Sequence, residues 1–253
     1  MRLDFLRQRL ADQGFVSVAA AAEELAVSEM TVRRDLARLE GMSLAVRTHG
    51  GAMAPGKPGH KVDVEEPAFD ARARKSSRAK QAIAFLAAQL PQPLQTVGID
   101  VGTTTLELAR RLATGGDLKI FTNNLRAAMI LSESRNDVYL PGGQVRPSEY
   151  SVYGSLGITQ LRQFWLDFAF IGVSGITEDG YYDYSLEDTE MKRVFIERAS
   201  KVVVLCDSSK FAHLSLIKVC DLPAVNILVT DAHPPKPLAA ALAAAGTVVM
   251  VPG

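Results

Sequence analysis

The sequence predicts an α/β chain in two parts: a small helical module closed by a hairpin, and a larger module built on a mostly parallel sheet. Three observations predict it. Three short amphipathic helical patterns fill the first 40 residues. The stretch Ala52-Met53-Ala54-Pro55-Gly56-Lys57-Pro58-Gly59 then interrupts them with two prolines and two glycines. From residue 80 onward, short β-branched runs alternate with helical segments, as a sheet covered on both faces requires. The expected division is a first domain over 1–56, a linker over 57–79 and a second domain over 80–253.

Of the 253 residues, 47% are hydrophobic and 22% charged, which supports a buried core and excludes wholesale disorder. The 28 basic residues match 28 acidic ones, so no global field draws the chain to a polyanion. The balance is uneven along the chain. The first 80 residues hold 14 basic against 11 acidic side chains, a net +3, and the remainder is −3. The start, Met1-Arg2-Leu3-Asp4-Phe5-Leu6-Arg7, lacks the apolar centre of a secretory signal. No run approaches the ~18 apolar residues of a membrane span. Cys206 and Cys220 are the only cysteines, which excludes a disulfide framework and a Cys-rich zinc site. The expectation is a soluble cytoplasmic protein with no cofactor and no metal.

In the first module, Leu3, Leu6 and Leu10 form one apolar stripe, with Gly14 as its stop. Ser17 is placed to cap a second helix that turns Val18, Ala21, Ala22 and Leu25 inward. After a break at Ala26-Val27, Ser28 is placed to cap a third helix running to about Glu40. The short connection is that of a helix-turn-helix. At about 100° per residue, Val32, Leu36 and Leu39 share the buried face of the third helix. Met30, Thr31, Arg34, Ala37 and Arg38 point away, with Arg33 on the flank. Such a cationic face offers guanidinium forks to guanine edges or phosphates in a major groove, and Thr31 near the helix N-terminus a donor to phosphate. Leu44 to Gly51 reads as a strand turning at two glycines, a wing that sets Arg47 and His49 beside the neighbouring backbone. The candidate DNA contacts are therefore Ser28, Met30, Thr31, Arg33, Arg34, Arg38, Arg47 and His49.

In the second module the strand runs are Val97–Val101, Lys119–Thr122, Val138–Leu140, Phe168–Val173, Val202–Cys206, Ile227–Val229 and Val248–Val251. Helices are expected near 103–113 and from about Leu125. Ligands of such Rossmann-like folds bind at the carboxyl ends of the strands, and polar clusters stand there. Asp100-Val101-Gly102-Thr103-Thr104-Thr105 joins a strand to a helix N-terminus, an anion cradle with a carboxylate for polyol hydroxyls. Thr122-Asn123-Asn124 offers uncharged donors and acceptors, Gly142-Gly143 permits close backbone approach, and Lys210 in Asp207-Ser208-Ser209-Lys210 supplies a cation. Each cluster alone also fits a structural role: a capped turn, turn-forming asparagines, a solvated lysine. Neither a phosphate-cradling Gly-Lys-Ser/Thr loop nor a Gly-x-Gly-x-x-Gly fingerprint is present.

The string Val27-Ser28-Glu29-Met30-Thr31-Val32-Arg33-Arg34-Asp35-Leu36, then Leu39-Glu40 and Arg47-Thr48-His49-Gly50-Gly51-Ala52, resembles the N-terminal signature of DeoR-family transcriptional regulators. Ser43 stands where that family usually has the glycine that ends the recognition helix, with Gly41 two residues earlier, so an earlier or less clean helix end is expected. The resemblance continues through Asp100–Thr105, Thr122–Asn124, Pro141–Gly143, Asp167–Ile176, Glu190–Arg193 and Asp207–Phe211. Leu166 to Gly180, with Thr230-Asp231-Ala232 and Pro234-Pro235, is similar to the glycerol-3-phosphate repressor branch. The resemblance implies a winged helix-turn-helix followed by a domain like sugar-phosphate isomerases and deaminases, in which a phosphorylated sugar or polyol modulates operator binding.

The expected function is therefore a non-enzymatic DNA-binding regulator, in all expectation a repressor, acting on double-stranded operator DNA as a homo-oligomer, dimer or tetramer. The alternative is a sugar-phosphate isomerase or deaminase with an accessory N-terminal domain. No compact set of carboxylates and histidine favours it, since His60, His213 and His233 are isolated in the sequence.

Overall fold

The structure is a computed structural model describing residues 2–13, 15–48, 51–54, 61–63 and 66–252. The expected helix stop Gly14 and the expected wing residue His49 lie outside the described residues.

The first module opens with α1 (Arg2–Gln13), β1 (Phe15–Ser17) and α2 (Val18–Glu24), followed by α3 (Glu29–Gly41), β2 (Val46–Thr48) and β3 (Gly51–Met53). Leu6, Leu10, Ala21, Val32, Leu36 and Leu39 meet in one core, the stripes that the helical periodicity selects. Ser17 and Ser28 accept from the backbone N–H of Ala20 and Thr31, so both expected caps form. The hairpin of β2 and β3 gains a third strand, because β1 pairs antiparallel with β3.

The end of α3 corrects the expectation drawn from Ser43. The Leu44 N–H reaches the Leu39 carbonyl at 2.9 Å and the Ser43 N–H reaches Glu40 at 2.8 Å, a complete Schellman ending with Ser43 left-handed at φ 59°. The helix therefore stops cleanly, with serine adopting the conformation that glycine takes at no steric cost. α2 ends the same way, with Ala26 at φ 50°.

The second module begins inside the expected linker. β4 (Lys61–Asp63) and α4 (Phe69–Arg74) precede α5 (Ser77–Ala87), and Phe69 is buried in the α/β core. The chain continues through β5 (Thr96–Ile99), α6 (Thr103–Leu112), β6 (Gly116–Thr122), α7 (Leu125–Ser132) and β7 (Arg135–Tyr139). A hairpin of β8 (Gln144–Arg146) and β9 (Ser151–Tyr153) leads to α8 (Ser155–Leu161) and β10 (Leu166–Gly172). Then follow β11 (Gly175–Thr177), β12 (Gly180–Asp183), α9 (Leu186–Arg198) and β13 (Ala199–Leu205). The last elements are β14 (His213–Ser215), β15 (Ile217–Cys220), β16 (Ile227–Val229), α10 (Lys236–Ala244) and β17 (Val248–Met250).

All seven expected strand runs join one parallel sheet in the order β17-β16-β13-β10-β5-β6-β7. One core, with Ile83, Leu108 and Leu131, covers one face; another, with Leu161, Phe195 and Leu242, covers the other. From β5 the chain winds outward to β6 and β7, whereas from β10 it winds the opposite way to β13, β16 and β17. The direction reverses between β5 and β10, which opens a crevice at the carboxyl ends of those two strands.

Candidate functional site

Two surfaces concentrate the chemistry. On α3, Val32, Leu36 and Leu39 are buried, while Arg34, Ala37 and Arg38 are exposed and Met30 is 61% exposed. The remaining candidates are partly committed to the fold. The Ser28 hydroxyl caps α3 and lies 2.9 Å from the Thr31 hydroxyl. Arg33 pairs with Glu29 at 3.2 Å. Arg47 donates from its guanidinium to the Arg33 carbonyl at 2.6 Å, and its backbone N–H donates to Glu40 at 3.1 Å. The wing is thereby bolted to α3. Asp35 on the same helix is neutralised by Arg2 of α1, so Arg34 and Arg38 dominate the outward face.

The second surface is a cavity at the switch between β5 and β10. Its wall includes Val101 to Thr104 after β5, Gly172 to Ser174 after β10, and Cys206, Asp207, Ser209 and Lys210 after β13. Gly102 precedes α6 at φ 150°, a conformation that favours glycine. The Thr105 hydroxyl donates to the Gly102 carbonyl at 3.1 Å and holds the turn. The first backbone N–H groups of a helix have no partner within it, so the α6 end offers donors and a positive dipole to an anion.

Asp100 lies behind this turn, fully buried. It accepts from the Gly172 N–H at 3.2 Å and contacts the Lys192 ammonium, which is also 3.0 Å from Asp183. Burial pushes the Asp100 carboxyl above its usual range against the pull of Lys192. For Lys192, burial opposes the charge, but Asp100 and Asp183 outweigh it and hold the ammonium protonated.

Helices from outside the strand ends complete the wall. Arg72 of α4 contacts Glu149 and lies 3.2 Å from Glu66. The Lys80 ammonium donates to the carbonyls of Arg72 and Lys75, the latter at 2.7 Å, and burial lowers its pKa. Lys75 and Lys210 also line the cavity and have no ion pair among the described residues. Two uncommitted cations thus stand beside a helix N-terminus, with carboxylates of Asp183, Asp188 and Glu149 on the same lining.

Of the expected effector contacts, Gly102, Thr103, Thr104 and Lys210 line this cavity, with Asp100 behind it and Thr105 bracing the turn. The others point their groups into the fold. The Thr122 hydroxyl donates to the Ile99 carbonyl at 2.6 Å and accepts from the Asn124 N–H at 3.1 Å. The Asn123 amide donates to the Val152 carbonyl at 3.3 Å, and the Asn124 carbonyl caps α7. The Gly142 N–H donates to Gln160 at 2.7 Å, and a Cβ on Gly143 would lie 2.4 Å from the Tyr153 carbonyl oxygen. The close approach that Gly143 allows is to β9.

Sequence reasoning missed Glu66, Arg72, Lys75, Lys80, Glu149, Asp183, Asp188 and Lys192 on the cavity wall. Two signals were present. The run Arg72 to Lys80 is dense in cations, and Asp188 and Lys192 are spaced to share one face of a helix that Ser185 caps.

Comparison with known proteins matches residues 2–57 to a DeoR-like helix-turn-helix domain and residues 75–232 to a DeoR C-terminal sensor domain. The glycerol-3-phosphate regulon repressor of Escherichia coli strain K12 is 33% identical, over 88% of this chain and 87% of its own. The HTH-type transcriptional repressor GlcR of Bacillus subtilis strain 168 is also 33% identical, over 92% of this chain and 86% of its own. Among solved structures, ribose 5-phosphate isomerase A from Methanocaldococcus jannaschii aligns with a TM-score of 0.41 and 18% identity, covering 54% of this chain and 55% of that one.

Proposed function

The chain belongs to the DeoR family of transcriptional regulators, and from that premise we propose that it is a repressor whose operator affinity is set by a phosphorylated polyol in the cavity between β5 and β10. The observation that carries this reading is the placement of Lys75 and Lys210, without carboxylate partners among the described residues, beside the N-terminus of α6. A phosphate suits that corner: the helix end supplies backbone donors and the lysines supply charge. Asp183, Asp188 and Glu149 suit the hydroxyls of a polyol chain, since ionised carboxylates only accept. Gly102, Thr103, Thr104 and Lys210 are the direct contacts in this reading; Asp100 and Thr105 act behind them, and Thr122, Asn123, Asn124, Gly142 and Gly143 act through the walls they brace.

On the DNA side, Arg34 and Arg38 with Met30 and Thr31 enter the major groove, while Ser28, Arg33 and Arg47 set the helix and the wing that present them. One recognition helix covers a small footprint, so the reading includes a homo-oligomer on repeated half-sites. Exposed Tyr139 and Phe164, both packed against Phe121, form an apolar surface of the kind subunits bury. The membrane has no part in it; among the described residues no helix is long and apolar enough to cross one.

Thermal-shift titration with sn-glycerol 3-phosphate and with glycerol tests the ligand assignment, because a ligand of the native state raises its melting temperature. The phosphorylated compound should stabilise the protein, glycerol should not, and Lys210→Ala should weaken the effect. Equal response to both compounds, or none to either, would overturn it.

A further inference from the structure

The residues that join the two domains also form one wall of the cavity. Glu66, Arg72 and Lys75 lie in that stretch, and all three line the cavity. The stretch is held at both ends. Upstream, β4 pairs parallel with β14, with Lys61 to Asp63 opposite His213 to Ser215. Downstream, the Lys80 ammonium gathers the carbonyls of Arg72 and Lys75. Between these points Phe69 is buried in the core and Arg72 contacts Glu149, and a further ionic tie passes through a residue that is not on the cavity wall. Arg146, at the end of β8, contacts Glu66 with one guanidinium nitrogen and Asp188 of α9 with the other, the latter at 2.6 Å. The second Asp188 oxygen accepts from the Ser151 hydroxyl at 2.6 Å. Asp188 is buried and fixed by α9 and β9, so Arg146 anchors Glu66 to a rigid partner.

We propose that Arg146 is the positioning residue that holds the interdomain stretch against the cavity, so that filling the cavity and fixing the stretch that leads to the DNA-binding domain are a single equilibrium. The proposal rests on the ligand reading above and adds how that site is regulated. Without the guanidinium, Glu66 and Asp188 face each other as like charges, and Glu66 loses its tie to α9. Arg72, which Glu66 and Glu149 orient together, then keeps only Glu149 as a fixed carboxylate partner. An anion seated beside Lys75 and Lys210 adds a partner for Arg72 and tightens the same stretch. By linkage, whatever fixes the stretch raises anion affinity in return.

Hydrogen exchange of the full-length protein tests this, comparing wild type, Arg146→Gln and Glu66→Gln, each with and without sn-glycerol 3-phosphate. In both variants without the compound, peptides spanning 61–75 should exchange roughly tenfold faster while those of β10 and β13 stay unchanged, as for opening of a local unit. Glu66→Gln removes the interdomain end of the bridge together with the pair to Arg72, leaves Arg146 on Asp188, and serves if Arg146→Gln fails to fold. The compound should slow exchange at 61–75 in wild type, and in the variants it should still raise the melting temperature but protect 61–75 less. Unchanged exchange at 61–75 in the variants overturns the proposal, as does equal acceleration across the whole sheet, the mark of a merely structural role. If the compound fails to stabilise even wild type, the ligand reading falls, and the exchange measured without it still decides the role of Arg146.

Discussion

Lys192 of α9 lies 3.0 Å from Asp183 at the end of β12 and contacts Asp100 at the end of β5, so one buried ammonium ties three elements together at the mouth of the switch point. The pair is nearly inaccessible to water, and removing one partner strands the other. Lys192→Met should destabilise the second domain by about 3–5 kcal/mol in urea unfolding. Adding Asp100→Asn to that variant should recover part of the loss, because the orphaned charge is removed as well.

Ser43 sits at φ 59° in the Schellman ending of α3. A left-handed serine is strained where glycine is not, whereas glycine costs more entropy on folding. The strain is the larger effect here, so Ser43→Gly should stabilise the first domain by about 0.5–1 kcal/mol in chemical denaturation. A loss of stability would show that the ending depends on the serine side chain.

Arg34 and Arg47 separate recognition from architecture. Arg34 is exposed on α3, whereas Arg47 donates to the Arg33 carbonyl at 2.6 Å. Arg34→Ala should weaken DNA binding, lower its salt dependence by about one charge and leave the melting temperature unchanged. Arg47→Ala should lower DNA affinity and stability together, since the wing loses its bolt to the recognition helix. Equal stability loss in both variants would contradict this division.

The two cysteines should be inert in the folded state. Cys206 is buried and burial pushes its thiol far up; Cys220 is half-buried and its thiol is pushed up to about 12, again mainly by burial. At pH 8 both lie below their pKa and stay protonated, so the thiolate that reacts is scarce. Mass spectrometry after iodoacetamide should find neither alkylated in native protein and both alkylated in urea.

The parallel sheet was legible because strands buried on both faces read as continuous apolar runs, Phe168 to Val173 most clearly. β1, β8, β9, β11 and β14 span three residues each, too short for an alternating pattern to register. The α6 corner and Lys210 were legible because they follow strands directly. Arg72, Lys80 and Lys192 reach the cavity from helices, and only the topology brings them there. At Thr122, Asn123 and Asn124 residue type leaves two roles open. The polar groups that bind a ligand at a strand end are also the ones that cap a helix or lock a turn, and only the hydrogen-bond partners tell the two apart. The interdomain boundary was set by the prolines and glycines near residue 55, while Phe69 and Arg72 were already committed to the α/β body.

The most direct measurement is DNA affinity with the cavity filled and empty. Full-length protein titrated onto a duplex that it has itself selected from a random pool, with and without saturating sn-glycerol 3-phosphate, should differ in affinity by about 5–150-fold. Identical binding curves at a concentration that raises the melting temperature would show that the cavity and the recognition helix are not coupled.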